Sequence, residues 1–72
     1  MSQDKINPDH YKFGGIETID YLRAKMNDDE FRGFLRGNAL KYLSRAEAKG
    51  GKEDYEKALW YVSMLAGKDP RK

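Results

Sequence analysis

Apolar residues recur at helical spacing along three stretches of this chain and at no regular spacing before them. Ile16, Ile19, Leu22 and Met26 form one stripe and predict a helix over 16–26. Phe31, Leu35, Ala39, Tyr42, Leu43 and Ala46 lie on one side of a second helix over 28–49. Tyr55, Ala58, Leu59, Val62, Leu65 and Ala66 mark the inner face of a third over 53–66. The polar punctuation agrees with these bounds. Asn27 and Glu30 have the spacing of a capping box, Lys49-Gly50-Gly51 suits a helix end, and Gly67-Lys68-Asp69-Pro70 stops the last helix. The pattern predicts an all-α fold: a small three-helix unit in one domain, with an irregular N-terminal arm over 1–13 and a frayed tail over 67–72.

Two features leave alternatives open. Gly33 and Gly37 each weaken the second helix by about 1 kcal/mol relative to Ala. Either a neighbouring helix approaches closely there, or the helix breaks at Gly37 and Asn38 caps a second piece. Trp60 and Met64 are i, i+4 neighbours on the side of helix three away from Leu59 and Val62. They form an interface between copies of the chain, or the arm folds over them.

Composition narrows the classes. The chain has 72 residues, no Cys and one His, so disulfides and thiolate metal sites are excluded and no metal or cofactor is expected. A core of this size is marginal alone, which points to a homo-oligomer. No apolar run approaches the roughly 18 residues of a membrane span, and the first residues lack a signal-peptide pattern, so a cytoplasmic protein is expected. A net charge of +2 argues against nucleic acid as the partner.

Any attraction for anions must therefore be local. Asn38, Lys41 and Arg45 stand at i, i+3 and i+7, a polar row with two cations and no acid between them. Lys offers a point charge and Arg a forked donor, which suits a phosphate. The same row could be a solvated flank paired with Glu17, Asp20 or Asp54, as rows of charge usually are. His10 and Tyr11 precede Gly14-Gly15 in the arm, where a phosphate contact, a proton donor or simple packing are all open. Lys49-Gly50-Gly51-Lys52 fails as a phosphate loop, because Glu53 stands where Ser or Thr is needed and no strand precedes it. Glu17 and Asp20 could share one magnesium ion, but no second acidic pair faces them in the pattern.

The residues Asn7-Pro8-Asp9-His10-Tyr11-Lys12, Gly14-Gly15-Ile16-Glu17-x-x-Asp20-Tyr21, Gly37-Asn38-x-x-Lys41-Tyr42-x-x-Arg45, Lys49-Gly50-Gly51-x-x-Asp54 and Lys57-Ala58-x-x-Tyr61 together resemble a small phage family. It is catalogued as a domain of unknown function, often labelled a nucleotide kinase, and is related to a region of a podophage nucleoside-monophosphate kinase. The resemblance spans residues 6–65. It implies a phage protein acting in the cytoplasm of an infected bacterium, with His10, Tyr11, Asn38, Lys41, Arg45, Lys49 and Lys57 at positions of the family pattern.

Three functions follow as expectations. The first is a binding module for a nucleotide or other phosphorylated small molecule, which could sequester a host defence signalling nucleotide. The second is a nucleotide phosphotransferase resembling a nucleoside-monophosphate kinase, with His10 as acid or base. The third is a protein-interaction module that inhibits a host factor through Trp60, Tyr61 and Met64.

Overall fold

A computed structural model describes residues 12–13 and 15–72 of the chain. The chain is mostly helical, as its periodicity requires, with one addition. Lys12–Phe13 (β1) and Ile16–Glu17 (β2) pair antiparallel, with Phe13 opposite Ile16 and Lys12 opposite Glu17. Gly15 turns this hairpin at φ +88°, a conformation open to Gly at little cost. The first helix therefore begins later than its apolar stripe suggests: α1 runs Thr18–Lys25, and Ile16 is spent on strand pairing. The rest of the arm lies outside the described residues.

Helix α2 runs Asp28–Arg45 without a break at Gly33 or Gly37. Its start is built as a capping box. The Glu30 N–H donates to the Asn27 side chain at 2.8 Å, and the Asn27 N–H donates to Glu30 at 2.9 Å. No atom would lie within 4 Å of a Cβ added at Gly33 or Gly37, so close helix packing is not what these glycines serve here. The expected continuation to residue 49 takes another form: Ala46–Gly50 is a single π-helical turn. Gly51 closes it at φ +55° and sends the chain back as α3, Gly51–Leu65.

Helices α2 and α3 lie antiparallel and share the core. Ile19, Phe31, Leu35, Ala39, Tyr42, Ala58, Trp60, Tyr61 and Met64 are its buried members. The Tyr42 and Tyr61 rings stack at 6.0 Å, and Trp60 and Phe34 meet Tyr61 edge-on at 5.1 and 6.2 Å.

This core corrects the inner face expected for helix three. Trp60 and Met64 are 3% and 6% exposed, so they are core residues and not an interface. Leu59, Val62 and Tyr55 stand outside, as does Leu43 of α2. Helix α3 is apolar around more than half its circumference, so spacing alone offers two faces. The large aromatic surface of Trp60 and Tyr61 decides which one turns inward.

The tail is not frayed. Gly67 at φ +81° forms a Schellman cap, with its N–H donating to the Met64 carbonyl and that of Lys68 to Ser63. Arg71 then clasps α1. Its guanidinium donates to both Asp20 oxygens at 2.9 and 3.0 Å, to Glu17 at 3.2 Å and to Asp69 at 2.7 Å. The bonded guanidinium holds the Asp69 carboxyl down at about 2 and Asp20 below its ordinary range. A depressed carboxyl pKa contributes stability that is present above the unfolded value and lost as pH falls through the folded one.

Arg71→Ala is therefore expected to lower stability by about 1 kcal/mol near neutral pH. The gap to wild type should close as pH falls from about 4 toward 2. Thermal melts across that range measure it, and a gap independent of pH would show that the clasp does not act through these carboxylates. Gly37→Ala points into open space and is expected to stabilise α2 by about 0.5–1 kcal/mol in denaturant titration.

Candidate binding site

The turn from α2 into α3 brings three cations onto one aromatic ring. Tyr42 is held in the core by its stack on Tyr61. The Lys41 Nζ lies 4.5 Å from the Tyr42 ring centroid, the Lys57 Nζ 5.5 Å and the Arg45 guanidinium carbon 5.6 Å. Lys41 and Arg45 come from successive turns of α2, and Lys57 reaches across from α3. The ring's π electrons attract all three, which offsets part of their mutual repulsion.

Asp54 is the carboxylate that pairs with this group among the described residues. Its side chain is 3% exposed, and its Oδ2 lies 3.0 Å from the Arg45 Nε. The Nε–H is not aligned on that oxygen, so the contact is an ion pair and Oδ2 has no hydrogen-bond partner. Asp54 can sit there because residue 50 has no side chain: a Cβ on Gly50 would occupy the place of the carboxylate. Three cations against one acid leave an excess of two positive charges around Tyr42. Lys41 and the Arg45 side chain remain open to solvent and able to reach a ligand.

The structure thus unites Lys41, Arg45 and Lys57 of the expected site. Asn38 lies one turn away, half-buried, with its amide donating to the Phe34 carbonyl at 2.9 Å. Phe34 itself is half-buried, edge-on against Tyr61. Lys49 is exposed on the π turn, apart from the Tyr42 group. His10 and Tyr11 lie outside the described residues. Glu17 and Asp20, two of the acids that could have neutralised the row, are bound to Arg71 instead. No group of three or more acids, His or Cys arranged for a metal occurs among the described residues.

The sequence pattern alone does not show how two members are used. Tyr42 lies on the apolar side of helix two, and its role as a platform for three cations needs Lys57 to arrive from another helix. Of the three acids the sequence offers this row, Asp54 is the one that pairs with it, and its burial is what the sequence leaves unstated; its i, i+4 spacing from Gly50 is the signal for that burial. A hollow of about 600 Å³ lies elsewhere, along Glu47, Lys52, Tyr55 and Leu59.

Comparison with known proteins gives the chain a family. The chain belongs to DUF3310, a phage family of proteins of unknown function, which matches residues 5–63. It is 35% identical over 70 residues to the Gene 1.7 protein of Enterobacteria phage T3, covering 90% of this chain and 43% of that protein. It is also 35% identical over 63 residues to a protein of Escherichia phage T7 named Nucleotide kinase gp1.7, covering 81% of this chain and 32% of that one. The chain spans less than half the length of either relative. No solved structure matches it. No described helix is long and apolar enough to cross a membrane.

Gly50→Ala is expected to destabilise the fold by about 1–3 kcal/mol, since Asp54 must leave its place and Arg45 loses its partner. A denaturant midpoint indistinguishable from wild type would mean that the Gly50–Asp54 contact does not hold the turn.

Proposed function

We propose that this protein is a nucleotide-binding or phosphate-binding module whose anion grip is Lys41, Arg45 and Lys57 around Tyr42. The observation that carries the reading is the convergence of three cations, from two helices, on one ring with, among the described residues, a single carboxylate paired to them. A phosphate would bridge the ammonium groups and meet the fork of Arg45, gaining charge-assisted hydrogen bonds from each. Asp54 keeps Arg45 in place behind the ligand. The name of the T7 relative is consistent with a nucleotide as the ligand.

Bound without chemistry, such a module would act by holding its nucleotide away from other proteins, including a host defence signal. The T7 relative's name also supports a second reading, transfer of a phosphoryl group between nucleotides. Basic clamps suit that reaction because it depends mainly on positioning and electrostatics. The protein-interaction reading loses its surface, since Trp60, Tyr61 and Met64 are core.

Calorimetric titration with nucleoside mono-, di- and triphosphates tests the binding reading. Lys41→Ala and Lys57→Ala are the informative variants, because neither leaves a buried charge behind, whereas Arg45→Ala would strand Asp54. Each is expected to cost about 1.5–3 kcal/mol of affinity, roughly ten- to a hundredfold. Binding that survives both substitutions, or no binding of any phosphorylated compound, would overturn the assignment. Chromatography of a monophosphate and triphosphate mixture after incubation separates transfer from binding.

A further inference from the structure

The side of the α2–α3 pair opposite the cations leaves five large apolar residues in the open. Leu40, Leu43, Tyr55, Leu59 and Val62 are 53%, 45%, 43%, 63% and 44% exposed. An α-helix turns about 100° per residue, which puts Leu40 and Leu43 on the flank of α2 away from Asn38, Lys41 and Arg45. The same rotation puts Tyr55, Leu59 and Val62 on the flank of α3 away from Lys57 and Trp60. Lys41, Arg45 and Lys57 all meet at Tyr42, so the cationic flanks share one side of the pair and the apolar flanks share the other. The Tyr55 hydroxyl donates to Glu47 at 2.5 Å, which sets the level of the helices and places Leu43 near Leu59 and Leu40 near Val62. A contiguous apolar face of this kind marks a binding surface on a soluble chain.

We propose that the face is covered by a second copy of this chain, in a symmetric antiparallel dimer that makes a four-helix bundle. Spacing is the first argument. Residues 36, 40 and 43 of α2 with 47 of the π turn, and residues 55, 59 and 62 of α3 with its C-cap 66, both follow the 4-3-4 step of a coiled-coil seam. Both seams point outward, and among the described residues no further helix covers them.

Charge complementarity is the second argument. Arg36 lies as far before the midpoint of Leu40 and Leu43 as Glu47 lies after it, and both are exposed. A two-fold axis crossing the helices at that midpoint lays α2 antiparallel on α2 of the other copy. Leu40 then meets Leu43 across the interface, and each Arg36 meets the other copy's Glu47. An axis along the helices would instead lay α2 on α3 of the other copy and would not pair Arg36 with Glu47. A closed two-fold contact of this type is self-complementary and leaves the Tyr42 site of each copy facing outward.

Sedimentation velocity on the full chain at tens of micromolar tests the proposal. The expected result is a species of twice the chain mass. Leu43→Glu and Leu59→Glu are expected to give monomers of unchanged helical circular dichroism. Arg36→Glu alone and Glu47→Arg alone should each weaken the dimer about tenfold or more, and the double exchange should restore it. The double exchange keeps the test decisive even where a Leu variant fails to fold. A monomeric wild type would overturn the proposal and leave the face to a different partner or segment. An assembly indifferent to the Leu substitutions, or a double exchange no better than its single parents, would overturn it as well.

Discussion

The stack of Tyr42 on Tyr61 is the contact on which the rest of the molecule depends. It joins α2 to α3 at mid-height, and those helices supply most of the core. It also fixes the rotation of both helices about their axes. With Tyr61 turned inward, Trp60 and Met64 follow it into the core and Leu59 and Val62 turn outward. With Tyr42 turned inward, Lys41 and Arg45 stand at its edge and Leu43 is left on the opposite flank. One aromatic contact thereby separates the pair into a cationic side and an apolar side.

The turn between the helices makes that geometry possible. A π turn inserts one extra residue's worth of helix at Ala46–Gly50, and such turns are frequent where a helix serves a site. The two glycines that follow have separate duties. Gly51 adopts a positive φ that reverses the chain, and Gly50 gives up the volume that Asp54 fills. Asp54 is buried at the cost of its hydration and recovers part of that cost from Arg45. A buried carboxylate of this kind holds one cation firmly while its neighbours stay free to engage a ligand.

Much of this was legible in the amino-acid order, because local rules govern it. The capping box at Asn27 and Glu30 and the stop at Gly67 depend on residues three or four apart. The row of Asn38, Lys41 and Arg45 follows from helical rotation alone. What spacing could not decide was the rotation of α3, whose apolar arc is too wide to choose its own inner face. The strand pairing of Ile16 with Phe13 was hidden because two-residue strands have no periodicity to read. Lys57 meets Tyr42 through a contact between helices, which no local pattern encodes.

The acids of α1 show how a local reading can be right in chemistry and wrong in partner. Glu17 and Asp20 are a helical pair suited to a cation, and they do hold one, the Arg71 guanidinium from the far end of the chain. That capture has a consequence for the Tyr42 group. Two carboxylates that could have paired with the row are committed elsewhere, and among the described residues the acid that pairs with it is Asp54. A tail residue thus helps keep the cationic side of the molecule unneutralised. In a chain of net charge +2, it is this internal allocation of acids, more than total charge, that creates a local demand for an anion.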